Sequence, residues 1–179
     1  MAYTPRHATR PTRKLLRRST ILAATCGVGL AAIPAPPADA RSFGATQRAT
    51  VTRYARAQIG DGYRFGASGP NYFDCSGLVM RAWSKVGFAL PHQSGRMVTA
   101  RNIRQVPYSV RNRQQLQPGD LVFYYGSIYR PSTVSHVALF SHWSGGRRIV
   151  VAAVNTHYGV KAHWLRWAAT PSGFGFVGH

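Results

Sequence analysis

The 179-residue chain carries 23 Lys and Arg against four Asp and no Glu, a formal net charge of +19, with 45% apolar and 12% aromatic residues. So apolar a chain is not a disordered polycation. Only Asp61, Asp74 and Asp120 follow residue 40, too few acids for a paired-carboxylate glycosidase, an aspartic protease or a two-metal phosphoryl site.

The amino terminus reads as an export signal. Arg13-Lys14-Leu15-Leu16-Arg17-Arg18 is a basic start, residues 21–33 are an apolar run, and Ala38-Asp39-Ala40 supplies small residues at a cut after Ala40. The run is too short and too rich in Ala and Gly to span a bilayer, so no stable membrane span is expected after cleavage. Arg17-Arg18 leaves a twin-arginine route open beside general secretion; a permanently anchored helix and a lipid on Cys26 are the other readings. Residues 41–46 read as a short linker and 47–179 as one domain, secreted or held at the cell wall. Removing residues 1–40 leaves 17 basic and three acidic residues, a net +14. About 140 residues suffice for a core that buries roughly two-thirds of the unfolded surface. The mature chain then has one cysteine, Cys75, a lone thiol in an oxidising compartment, and is expected to be a monomer.

In chain order, Val51, Tyr54, Ala55 and Ile59 fall near helical spacing over residues 47–59, and Gly60 stops that helix. Residues 60–73, with four glycines and Pro70, read as a loop. Leu78, Val79, Ala82, Trp83 and Val86 form the buried stripe of a second helix, with Asp74 as N-cap, Cys75 in the first turn and Gly87 at the end. Ser94 starts a short helix reaching about residue 100. After Gln117-Pro118-Gly119-Asp120, residues 121–125, 136–141, 148–154, 160–165 and 174–177 read as strands, with Gly145-Gly146 in a turn. Helices first and antiparallel strands after predict an α+β domain.

A cysteine at a helix N-terminus is placed for chemistry. The free N–H groups and the dipole favour thiolate, and the same N–H groups can hold an oxyanion. On that ground Cys75 is expected to alkylate well below the ordinary thiol pKa of about 8.5. A base must lie beside the sulfur and protonate the leaving amine. Of histidines 92, 136, 142, 157, 163 and 179, His136 opens the apolar strand Val137-Ala138-Leu139-Phe140 and is the best placed; His142 and His163 are expected to face solvent. Without Cys-x-x-Cys or His-Glu-x-x-His, no metal and no cofactor are expected.

Gly62-Tyr63-Arg64-Phe65-Gly66 and Phe73-Asp74-Cys75-Ser76-Gly77-Leu78-Val79 resemble the first motif of the NlpC-type cell-wall cysteine peptidases. Leu90-Pro91-His92-Gln93-Ser94, Leu116-Gln117-Pro118-Gly119-Asp120-Leu121-Val122-Phe123 and Ser135-His136-Val137-Ala138-Leu139 match later landmarks in the same order. The resemblance covers residues 47–179. It implies a papain-like α+β fold and cleavage of peptidoglycan stem peptides, commonly between D-glutamate, through its γ-carboxyl, and diaminopimelate. By position it makes Cys75 the nucleophile and His136 the base and acid, with Tyr63, Asp74 and Ser76 lining the pocket for the stem peptide's amino end. Asp74 can serve as cap and ligand at once; Asp120 reads as structural.

One position departs from that pattern. The family usually places a polar residue, often His, on the next strand to orient the base, and the alignment puts Ala152 there. His157 is the stand-in we expect, with Asn155 the alternative; a working Cys–His dyad and a degenerate wall-binding domain are the other outcomes. An amidase or acyltransferase using the same Cys–His pair would differ in its products. The basic residues are spread along the sequence. They suit attraction to anionic cell-wall polymers; no nucleic-acid motif accompanies them, so nucleic acid is not an expected partner.

Overall fold

The computed structural model describes residues 42–126, 133–167 and 169–178; the expected signal segment, residues 1–40, lies outside them. Helices α1 (Ala45–Ala57), α2 (Cys75–Ser84) and α3 (Ser94–Val98) precede most of the strands. The strands are β1 (Gly62–Tyr63), β2 (Tyr72–Phe73), β3 (Ile103–Pro107), β4 (Leu121–Tyr125), β5 (Val134–Ser144), β6 (Arg147–Ala153), β7 (Val160–Trp164) and β8 (Gly173–Val177), with α4 (Val110–Gln114) between β3 and β4. β1 and β2 pair in parallel; the other six form one antiparallel sheet in the order β3-β8-β4-β5-β6-β7. This is the α+β arrangement the sequence predicts.

The fold begins earlier than expected. Phe43 packs edge-on against Trp83 and Phe88, ring centroids 4.8 and 5.0 Å away, and the Gln47 side chain accepts from the Gly44 N–H to close the start of α1. Part of the stretch read as a linker, 41–46, is therefore core and helix. The helix also stops at Ala57, leaving Ile59 exposed. The buried stripe of α1 is Arg48, Val51, Thr52 and Ala55. Arg48 lies among apolar neighbours because its charge is fully matched: it pairs with Asp120 at 3.1 Å and donates to the carbonyls of Phe43, Pro118 and Val177. Asp120 also accepts from the Gln117 and Val177 N–H groups. This cluster ties α1 to the start of β4 and the end of β8, the structural use expected of Asp120.

Strands β4, β5 and β6 are buried on both faces, which is why they read as continuous apolar runs. On one face Leu121, Phe123, Val137, Leu139, Val151 and Ala153 meet Val51, Leu78, Val79, Ala82 and Trp83 of the helices. On the other, Val122, Tyr124, Ala138, Phe140, Val150 and Ala152 pack with Phe174 and Phe176 and are closed over by Leu116 and Leu165. Gly145 and Gly146, with φ of 52° and 72°, make the two-residue turn between β5 and β6. β3, α4 and the short parallel pair β1–β2, which lies in the stretch read as a loop, are the elements the sequence did not reveal. β3 buries only Ile103 and α4 buries nothing, so neither carries an apolar period.

Candidate active site

Asp74 organises the start of α2. Its Oδ1 accepts from the Gly77 N–H at 2.6 Å, the Ser76 hydroxyl at 3.0 Å and His92 Nε2 at 3.0 Å, and its Oδ2 from the Gly66 N–H at 2.8 Å. One buried carboxylate thus caps the helix, anchors the loop after β1 and fixes the His92 ring with its proton on Nε2. Residue 77 must be glycine, because a Cβ there would stand 2.2 Å from the Ala67 carbonyl oxygen and 2.9 Å from His92 Nε2. Ser76 is buried with its hydroxyl on Asp74, so Asp74 and Ser76 form a closed inner network. Half-buried Tyr63 is the member of the expected substrate-binding trio set against the nucleophile: burial, and then the charges of Cys75 and Asp74, raise its pKa.

Cys75, partly exposed in the first turn of α2, has its sulfur 4.0 Å from the Ser135 carbonyl oxygen. The N–H groups of Val137, Ser76 and Cys75 itself also reach it. Ser135 and Val137 bracket His136, so the structure brings nucleophile and expected base to one short stretch of β5. The strand alternates: Val137 and Leu139 face the helices, while the His136 ring lies with Ala138 on the opposite face, 5.7 Å from the Tyr124 ring. Among the described residues no hydrogen bond joins the sulfur to that ring.

The electrostatics revise one expectation. Burial raises the Cys75 thiol, and the Asp74 charge adds to it; the N–H groups of Val137, Ser76 and Cys75 oppose the rise without cancelling it. Burial, with the nearby His163 charge, lowers His136 from 6.5 to about 4. The resting pair is neutral thiol and neutral imidazole. The helix N-terminus alone predicted a thiolate, but desolvation of a sulfur with no cation beside it among the described residues outweighs the dipole.

The third residue is the larger difference. His157 is exposed in the turn after β6 with its ring against Tyr158 at 4.6 Å, and the Asn155 side chain accepts from the His157 and Tyr158 N–H groups. Neither reaches His136; both shape the turn. His163, expected to face solvent, instead lines a cleft of about 590 Å³ together with His136, Tyr124, Ser135, Val154 and Trp167. The β6–β7 register explains this: His163 pairs with Val150, and Lys161 with Ala152, placing His163 on the face that holds Ala152 and His136. His163 Nδ1 is 3.0 Å from the Trp164 carbonyl oxygen. A carbonyl only accepts, so that nitrogen carries the proton and Nε2 of the neutral ring is an acceptor. Burial lowers the His163 pKa and favours the neutral form. The sequence signal for His163 was its place two residues from Lys161 on the strand beside Ala152; the signal for His92 was its place in the Leu90-Pro91-His92-Gln93-Ser94 block. Among the described residues no three His, Cys, Asp or Glu side chains converge as metal ligands.

A sheet covered by helices on one face, with a cysteine at a helix N-terminus against a histidine-bearing strand, defines a papain-like cysteine-peptidase domain. The NlpC/P60 family model matches residues 60–166, and the chain belongs to that family of cysteine peptidases acting on peptidoglycan. A probable endopeptidase of Corynebacterium glutamicum is 38% identical over 135 residues, which are 75% of this chain and 56% of the relative. A probable endopeptidase of Mycobacterium bovis is 38% identical over 93 residues, 52% of this chain and 21% of the relative. The chain thus spans from about half to a fifth of the length of these relatives. Among solved structures, the NlpC/p60 domain of the peptidoglycan hydrolase SagA superposes with a TM-score of 0.57 at 27% identity, covering 73% of this chain and 98% of that one. NlpC1 of Trichomonas vaginalis superposes with a TM-score of 0.61 at 20% identity, covering 76% and 46%.

Proposed function

We propose that the protein is an exported cysteine endopeptidase that hydrolyses bacterial peptidoglycan stem peptides, at the bond between D-glutamate and diaminopimelate, with Cys75 as nucleophile and His136 as base. The observation that carries this reading is the contact of the Cys75 sulfur with the backbone on both sides of His136. Starting from the neutral pair, and with its ring turned from the Tyr124 face of β5 toward Cys75, His136 takes the thiol proton as the sulfur attacks the carbonyl carbon. The N–H groups at the start of α2 are placed to receive the oxyanion. The imidazolium then protonates the leaving amine, and the neutral ring next activates the water that hydrolyses the thioester. Tyr63, near enough for the charges of Cys75 and Asp74 to act on it, is suited to meet the substrate, while Asp74 and Ser76 hold the helix start that carries the sulfur. His163 serves as the positioning residue: it lines the same cleft as His136, while the position where the family usually has a polar residue holds the packed Ala152.

A second reading, a degenerate domain that binds wall peptides without cutting them, draws on Ala152 and on the absence of a sulfur–imidazole hydrogen bond. Digestion of purified muropeptides by the protein and by Cys75→Ala, read by mass spectrometry, separates the two. Cleavage by the wild type alone, with products ending at D-glutamate, supports the endopeptidase; products cut at the muramoyl–alanine amide identify an amidase. No cleavage with retained binding to sacculi supports the degenerate domain.

A further inference from the structure

The basic residues look evenly spread in the sequence, but four arginines from three segments converge at the end of the sheet away from Cys75. Arg113 of α4, Arg147 and Arg148 at the start of β6 and Arg166 after β7 line a pocket of about 460 Å³ with Trp164. Arg148 is 9% exposed, its guanidinium 3.5 Å above the Trp143 ring and its Nε donating to the Arg113 carbonyl at 2.9 Å. Arg113 Nε is enclosed with no acceptor among the described residues. No lining residue is acidic, and the described aspartates lie elsewhere: Asp120 on Arg48, Asp74 at the start of α2, Asp61 just before β1.

Setting the nearly enclosed Arg148 beside the half-buried Arg113 with no counter-charge, and Arg147 and Arg166 at the exposed rim, is costly unless something supplies the anion. Burial and the Arg113 charge both lower the Arg148 pKa, as expected of such crowding. Contrast Arg48, also buried but matched by Asp120. Planar guanidinium forks suit the oxygens of a phosphate, which they can bind two at a time. We propose that this pocket binds the phosphodiester groups of an anionic cell-wall polymer. The phosphate chemistry rests on the pocket alone; the choice of a wall polymer as its source rests on the peptidase reading above. A recessed pocket also suits a chain presenting single phosphates better than it suits a flat bilayer surface.

The test is titration of the full-length protein, observing the indole N–H signals of Trp143, Trp164 and core Trp83 by NMR. The probes are inorganic phosphate, a poly(glycerol phosphate) oligomer, phosphatidylglycerol vesicles and a DNA oligonucleotide of equal charge. We expect saturable shifts at Trp143 and Trp164 but not Trp83, with the polymer binding most tightly. Arg147→Gln with Arg166→Gln, both exposed and so safe for the fold, should weaken phosphate binding at least tenfold. Arg53→Gln with Arg56→Gln, which removes the same charge from exposed positions on α1, should change it less than twofold. Absence of a saturable shift, or equal weakening by both pairs, overturns the site. Tighter binding of vesicles or DNA overturns the wall polymer as the source. Because no readout is cleavage, an inactive protein that still shows these shifts would sink the peptidase reading and leave the phosphate site standing.

Discussion

The depressed His136 pKa has a consequence for stability that can be worked through. Its value falls from 6.5 to about 4 because folding removes the ring from water. As pH drops below 6.5 the unfolded chain takes up a proton that the folded ring refuses, so unfolding is favoured; stability is full above about pH 7 and is lost between about 6.5 and 4. With those two values, the loss relative to pH 7 is about 1.2 kcal/mol at pH 5.5 and about 2.4 kcal/mol at pH 4.5. The ring borders an open cleft, so about 2 kcal/mol at pH 4.5 is the expected size after screening. The perturbation is His136→Gln, which is neutral at every pH and keeps a polar group in place. Urea denaturation of both proteins at pH 7.0, 5.5 and 4.5 gives the quantity, since carboxylates common to both cancel in the difference. The variant should be the less acid-sensitive protein by about 2 kcal/mol at pH 4.5. The same depression puts the acid limb of kcat/KM near pH 4, because the base must be neutral to act. Equal losses in wild type and variant, together with an acid limb near 6.5, would refute the argument that burial controls this ring.

Three further outcomes follow from the site and the core. The native Cys75 thiol should alkylate with iodoacetamide more slowly than free cysteine at pH 7 and speed up steeply at higher pH, because burial raises it; rapid alkylation at pH 6 would show a preformed thiolate. His163→Ala should lower kcat about 10- to 100-fold with KM nearly unchanged and shift the acid limb upward by removing a neighbouring charge, His163→Gln should restore part of the rate, and His157→Ala should change kcat less than twofold. Similar kcat values for His163→Ala and wild type would remove His163 from the mechanism. Arg48→Met should cost about 3–5 kcal/mol in urea denaturation, since it strips a buried Asp120 of its cation, and a loss under 1 kcal/mol would mean that water reaches the carboxylate.

What was legible in the sequence follows from which interactions are local. The α2 stripe, its Asp74 cap and the strands with both faces buried have their causes written within ten residues. Cys75 and His136 could be singled out from the sequence because helix-terminus chemistry and an apolar strand each mark one residue. The third position could not, because it depends on register between strands. His163 and His157 differ by six positions, but only the pairing of Val150 with His163 shows which one shares a face with His136. Arg48 was hidden for a similar reason: a charge on an apolar helix face makes sense only when Asp120, 72 positions away, is brought against it. The arginine pocket drew on three separate segments, so residues that looked dispersed along the chain became a cluster only after folding.

The two sites share one structural frame. Arg148 near the start of β6 and Val154 just past its end lie six residues apart, about 20 Å in an extended strand, with the arginine pocket at one end and the His136 cleft at the other. β7 runs alongside and contributes to both, His163 to the cleft and Trp164 to the pocket. A polymer phosphate held at the arginines would keep neighbouring stem peptides within reach of Cys75, so binding at one end raises the local substrate concentration at the other without a contact to the scissile bond. That arrangement gains nothing for a soluble muropeptide, which carries no polymer to hold. On the proposed reading, the strongly basic composition and the neutral Cys75 and His136 would therefore answer different needs. On that reading, charge would concentrate the protein on an anionic matrix, and burial would keep the thiol protonated until a substrate reaches it.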